Sequence, residues 1–458
     1  MGLALLIASC LLVALGGRHS RGGGFLALAA VGYGYGILRA NFPDGFSHFI
    51  FDAATLTLYL VEFQRGRFQA GDATLRLWTS ALILWAVLMI PLGLVVGRQP
   101  ILIQLVGLRS TIFFLPILIF ASRLEESDIT VLAKGLVLLN LVAFAFGIAE
   151  YRLGIEPFFP LNPVTKIIHR SMVATGDHRI PSTFSSSHAY GGTMALTAPL
   201  IAWLAFAQRR ASARLFAMAG FGAAVAGTFL CGSRLPVVQL GLVLALLVLR
   251  GRLDRRLLPA LVLVGLLVGG YVAEDERLQR ITTLTDLDYV QQRVGISVNM
   301  SFVDIVLEHP LGAGLASATG TSIPFFLAGM AEPGIGLESE YARLALELGL
   351  PGLLLWLAFL VWALVLRRPQ ASRPFWVHAC WALALTAFGT GLIGAGVLTA
   401  IPATFLVMTQ LAVSVTHGRP ARVSAPLPRA TAPPRATAPP RSRVPPRSSG
   451  PVPVRSVP

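Results

Sequence analysis

The chain has 458 residues, 55% of them hydrophobic and only 13% charged. A soluble globular protein carries roughly 25% charged residues, so the composition excludes an ordinary soluble domain. Apolar runs near 18 residues or longer place the chain among polytopic membrane proteins. The formal charge of +15 does not imply nucleic acid: lysine occurs only at Lys134 and Lys166, and most arginines sit in short loops or the tail, where they fix membrane orientation.

About thirteen spans are expected, near 1–16, 24–38, 46–62, 78–97, 101–121, 129–149, 188–206, 213–230, 235–249, 257–272, 345–366, 376–394 and 397–415. The first has no basic n-region and no A-x-A-type cleavage site, so it reads as a span and not as a cleaved signal peptide. The expected organisation is N-terminal helices over 1–149, an outer loop over 150–187, and helices over 188–272 interrupted by a Ser-Arg turn. A catalytic loop over 273–341, C-terminal helices over 342–416 and a tail over 417–458 follow.

Arginine placement tests this alternation. The turns Arg18–Arg21, Arg65–Arg76, Arg209–Arg214, Arg250–Arg256 and Arg367–Arg373, with the tail, all fall on one side. The positive-inside rule makes that side the cytoplasm, so 150–187 and 273–340 face out. The tail contains the repeat LPRATAPPRATAPPR and eight arginines after Thr416 without one acid. It lacks the apolar surface to fold and reads as disordered, either a basic arm on anionic lipid or a solubilising tail.

Charges inside hydrocarbon are costly and usually pair or line a cavity. Asp52 and Arg109 sit at depths that differ by only about 3 Å, at 1.5 Å per residue, so they are expected to be able to pair. Lys134 lies near a span end and snorkels. Cys10, Cys231 and Cys380 all fall in apolar segments, without the spacing of a disulfide framework or a zinc site.

The longest polar interval runs from Tyr271 to Tyr341, with ten carboxylates against Arg277, Arg280 and Arg293. An anionic substrate entering it needs local positive anchors. Four segments carry candidate chemistry, all at or beyond the outer face. In IPSTFSSSHAYGG (180–192) the serines before His188 lack a G-x-S-x-G elbow and read as a helix cap; Gly191 and Gly192 permit close approach of a neighbour or ligand. In TFLCGSRLP (228–236) Arg234 lies on the side that the positive-inside rule disfavours. Its planar guanidinium suits a bidentate grip on a diphosphate; the alternative is an orienting loop charge. In RVGISVNMSFVDIVLEHPLGAG (293–314) the spacing of Val290, Val294, Val298, Phe302 and Val306 predicts an amphipathic helix stopped by Pro310 and Gly312, with Arg293 on its other face. In LESEYARLALELGLPG (337–352), Arg343 and Glu347 are spaced as a helical pair of modest worth, and Glu338 is either a solvated acid or a base for a sugar hydroxyl.

The order of these segments — a Ser-Arg turn, a long loop with an Arg helix ending in Pro-Leu-Gly-x-Gly, then a polar-x-x-Tyr segment before Glu-Leu-Gly-Leu-x-Gly — resembles the bacterial O-antigen ligase and O-antigen polymerase superfamily. The resemblance covers about 180–360. It implies an all-α, GT-C-like polytopic membrane protein of about 12–13 transmembrane helices, with short helices in a large extracytoplasmic loop. It also implies a glycosyltransferase of the inner membrane, with the active site facing the periplasm and the tail in the cytoplasm, using an undecaprenyl-diphosphate-linked glycan and no metal or other cofactor. A glycan or lipid acceptor, membrane lipids, and a chain-length regulator or flippase are the implied partners. By position, Arg234 and Arg293 match the arginines thought to bind the donor diphosphate; Arg280, Tyr341 and His188 complete the expected binding set. Ligases typically carry His where this chain has Glu338, so the base role would pass to a carboxylate. That departure favours a repeat-unit or exopolysaccharide polymerase over a ligase or O-oligosaccharyltransferase. A non-catalytic transporter of lipid-linked sugars is the rival from another class; it predicts internal repeats and polar broken helices at mid-membrane, and no clear repeat is visible.

Overall fold

The computed structural model describes residues 1–65, 72–96, 98–170, 178–251, 270, 287–292, 301–318, 323–331, 334–394 and 396–418. Met1–Arg419 form one compact unit. The described residues are 74% helical, and among them the only β pairing is an isolated bridge between Ala318 and Ile335. Apart from Gly270, the expected span at 257–272 lies outside the described residues, as does the Pro/Arg tail beyond Gly418.

The N-terminal helices are α1 (Gly2–His19), α2 (Arg21–Asn41), the single turn α3 (Gly45–His48), α4 (Ile50–Gln64), α5 (Ala73–Val95), α6 (Ile101–Ile112), α7 (Pro116–Ala121) and α8 (Glu126–Leu153). The short α9 (Lys166–His169) lies in the loop that follows. Next come α10 (Ser187–Ala207), α11 (Ala211–Leu230), α12 (Arg234–Leu249), α13 (Leu287–Gln292), α14 (Ser301–Glu308), α15 (Glu340–Leu360), α16 (Phe375–Thr390) and α17 (Ala403–His417). Seven of the described helical segments are long and apolar enough to cross a membrane, and the shorter α12, α16 and α17 are apolar as well. The chain is therefore an all-α, multi-pass membrane protein.

Helix starts follow local chemistry. The side chains of Ser20, Asp72, Ser186 and Ser339 each accept a backbone N–H in the first turn of α2, α5, α10 and α15, filling orphan donors that hydrocarbon cannot satisfy. Glu125 and Asp128 form a reciprocal capping box at the start of α8. The expected 101–121 span is present as Ile101–Ala121, with a local turn at 113–115 where Pro116 cannot donate into a continuing helix. The last span starts at Ala403, later than its apolar run suggests, since 391–393 and 397–402 form turns and bends. The expected continuous helix through 290–306 is described only as α13 and α14, with 293–300 outside the described residues.

The centre of the bundle is α10. Its 18-residue apolar window is 89% buried, against 28% for α5, so α10 meets protein and α5 meets lipid. It packs against α8, α11, α12, α16 and α17. Its Gly, Ala, Ser and Thr residues let those backbones approach, which is how helices associate where no hydrophobic effect separates lipid from leucine.

Two ends of the bundle can be told apart by contact. At one, the basic turns meet: Arg21 and Arg65 both reach Glu62, and Arg367 pairs with Asp72 at 3.2 Å. At the other, the 180–187 segment lies over the C-terminal part of α2. The Ile37 N–H donates to Thr183 O at 3.0 Å, and Gly36 sits directly under the Phe184 backbone, where a Cβ would collide.

Candidate functional site

The second end gathers the starts of α10, α12 and α15 and the turn after α16. Ser187 Oγ lies 3.1 Å from Ser233 Oγ, both buried. The segment preceding His188 is thereby joined to the turn preceding Arg234. Gly191 approaches Cys231 and Pro236 so closely that a side chain there would clash, whereas Gly192 faces open space. Cys231 is fully buried, its thiol donates to Thr228 O at 3.0 Å and it packs on Gly191, so it is a packing group.

From α12 the contacts continue to the turn after α16. Gln239 Nε2 donates to Thr390 Oγ1 at 3.3 Å, and Leu235 packs against Gly394. That turn also receives the start of α15. The Glu340 N–H donates to Gly391 O at 2.9 Å, and the Tyr341 hydroxyl to Phe388 O at 2.8 Å. Glu340 Oε2 in turn accepts the Gly396 N–H at 2.6 Å and the Val397 N–H at 3.2 Å.

Behind this surface lies a buried clasp. Arg343 Nε and Nη2 bond Glu340 Oε1 at 3.0 and 2.5 Å, and Nη1 bonds Glu347 Oε2 at 2.7 Å. All three side chains are 3% exposed or less. The helical pair expected at Arg343–Glu347 is thus one half of a fully desolvated triad, not a modest surface pair. Glu347 also accepts the Ala316 N–H, so the clasp holds both the turn after α16 and the 310–318 segment.

The two glycine motifs dock on each other at backbone level. Gly349 interrupts α15 at φ 70, ψ 174, a conformation that L side chains rarely adopt. The interruption lets the Leu350 N–H donate to Pro310 O at 2.9 Å, while the Ala313 N–H donates to Leu346 O at 2.7 Å. A Cβ on Gly312 would stand 2.6 Å from Gly349 N, and one on Gly349 would stand 2.5 Å from Leu311 O. Pro-Leu-Gly-x-Gly and Glu-Leu-Gly-Leu-x-Gly are therefore the two halves of one joint. Below it, Gly107 of α6 takes Ala316, and α6 is braced to α4 by the bidentate Arg109–Asp52 pair at 2.7 and 2.8 Å.

The expected site residues distribute as follows. Arg234 is half-buried at the first position of α12, His188 and Glu338 are exposed, and Tyr341 is half-buried with its hydroxyl committed to Phe388. His188 and Arg234 each directly follow a member of the Ser187–Ser233 pair, and Glu338 lies two residues before the Glu340 anchor. Arg293, Arg277 and Arg280 lie outside the described residues.

Two residues at this end escape a reading by segments. Arg179 is half-buried, and its charge reaches the Cys231 thiol; the positive-inside argument that singles out Arg234 applies equally to it. Glu150 is fully buried and accepts the Ser182 N–H at 2.7 Å, and Ser182 Oγ donates to Ala143 O at 2.6 Å. Standing just past an apolar run, Glu150 resembles a span boundary; the structure makes it the anchor of the segment that leads to His188.

Residues 219–357 match the family model described as O-antigen ligase. The resemblance to the O-antigen ligase and polymerase superfamily is borne out over this stretch, which contains Arg234, Arg293, Glu338 and both halves of the glycine joint. With the apolar helices, the match supports a membrane enzyme of the O-antigen ligase family, glycosyltransferase-like in kind. No curated protein matches the chain.

Proposed function

We propose that the chain transfers or polymerises glycan from an undecaprenyl-diphosphate-linked donor at the periplasmic face of a bacterial inner membrane. The observation that carries the reading is the Ser187–Ser233 contact at 3.1 Å. It joins the His188 segment to the Arg234 turn, which lies against the same turn after α16 that anchors the start of α15 beside Glu338. In this reading Arg234, with Arg293 and Arg280 from the loop, grips the donor diphosphate, and His188 and Tyr341 border the glycan. An acceptor hydroxyl loses its proton to Glu338 as its oxygen forms a bond to the anomeric carbon. The bond from that carbon to the diphosphate oxygen breaks with inversion. The lipid diphosphate leaves with the electron pair, and the arginines stabilise the charge it gains.

A repeat-unit polymerase is the leading form, because a carboxylate stands where ligases typically carry histidine. Incubating the purified protein with a defined lipid-diphosphate glycan distinguishes the alternatives. A ladder of products supports the polymerase, and a single addition to a second acceptor supports a ligase or O-oligosaccharyltransferase. Transbilayer movement without turnover would overturn the enzyme reading in favour of a transporter.

A further inference from the structure

The other end of the bundle holds a charge imbalance that the proposed chemistry does not use. Glu62 is fully buried near the end of α4. Arg65 Nη1 bonds its Oε1 at 2.5 Å, and Arg21 Nε lies 3.3 Å from its Oε2. Arg65 also donates to the Gly17 carbonyl. Arg123, on the connection between α7 and α8, feels Glu62 and the like charges of Arg21 and Arg76. Arg123 thus stands beside a glutamate already shared by Arg21 and Arg65.

Arg123 is the anomaly. Its Nε, Nη1 and Nη2 are all covered, and among the described residues none has a hydrogen-bond partner. Its guanidinium carbon lies 6.0 Å from the centroid of the Phe120 ring, a contact that supplies no acceptor. Arg21 Nη1 donates to the Arg123 carbonyl at 3.4 Å, which brings two positive groups together. The other carboxylates nearby are engaged or solvated. Asp128 accepts the Gly22 N–H at 2.8 Å and the Glu125 N–H at 3.2 Å, Asp72 pairs with Arg367, and Glu125 and Glu126 are exposed. Covered donors without acceptors beside like charges are unfavourable unless an anion supplies the missing oxygens.

We infer that Arg123, with Arg21, receives the phosphate of an anionic membrane lipid between the starts of α2 and α8. A guanidinium fork matches phosphate oxygens in bidentate fashion. Basic pockets between spans at the positively charged end are where anionic headgroups bind. The site is distinct from the candidate active site: Arg21 and Gly36 mark opposite parts of α2, about 22 Å apart at 1.5 Å per residue.

The test is thermal unfolding of the purified protein in detergent micelles with added phosphatidylglycerol, phosphatidylcholine or inorganic phosphate. Phosphatidylglycerol is expected to raise the midpoint by about 5 °C, and phosphatidylcholine is expected to leave it unchanged. Arg123→Gln should lose at least half of that rise, whereas Arg152→Gln, an exposed change at the far end of α8, should keep it. Equal shifts from the two lipids, or a full shift in Arg123→Gln, would overturn the proposal. A rise from inorganic phosphate as large as that from phosphatidylglycerol would overturn the lipid assignment. If Arg123→Gln cannot be purified, the wild-type comparison of the two lipids decides it.

Discussion

The two ends of the bundle treat arginine in opposite ways. At the candidate active site, Arg343 is enclosed by Glu340 and Glu347, and those acids in turn hold backbone N–H groups of two separate loops. At the far end, Arg21 and Arg65 pair with Glu62, and Arg123 stands close enough to feel the same carboxylate. A buried charge whose partners are complete belongs to the scaffold, because removing it strands the partners. A surplus of charge points outward, to a ligand the protein does not itself contain.

The largest expected effect comes from breaking the enclosed charge. Arg343→Met leaves Glu340 and Glu347 buried without their cation and should cost about 3–5 kcal/mol of stability. Thermal unfolding and gel filtration in detergent read the loss. Arg234→Ala should instead leave the protein folded in the membrane and reduce glycan transfer by about 100–1,000-fold, the scale of losing one donor to developing negative charge. Full activity would remove Arg234 from the site. Glu338→Gln should cut turnover by at least about 100-fold if Glu338 takes the acceptor proton, while Glu338→His restores part of it; normal turnover in the Gln variant would assign the base elsewhere.

A smaller effect is expected at the joint between the glycine motifs. Gly349→Ala places a methyl 2.5 Å from Leu311 O in a φ 70 backbone, costing about 1–3 kcal/mol, and should lower the unfolding midpoint and activity together. The smallest belongs to the surplus charge. Arg123→Gln strands no side-chain partner and removes a covered, unmatched charge, so in lipid-free detergent it should leave the unfolding midpoint unchanged or raise it. A loss on the scale of Arg343→Met would erase the distinction between the two ends.

The sequence by itself determined the membrane class and the serine cap ahead of α10, and its basic turns carry the expected orientation. These depend on hydropathy, arginine count and capping residues, which are properties of short stretches. It also anticipated the Asp52–Arg109 pair, because depth in a span follows from counting residues at a fixed rise per residue. The motifs around Arg234, Pro310 and Gly349 were legible as segments, but their mutual contacts were not. Only the tertiary structure decided that Ser187 meets Ser233, that Gly312 docks on Gly349, that Glu340 anchors the turn after α16, and that Glu150 holds the segment before His188. Each of these depends on how one helix is rotated against another. Hydropathy does not encode that angle where every face is apolar; packing of small residues and satisfaction of buried polar groups set it.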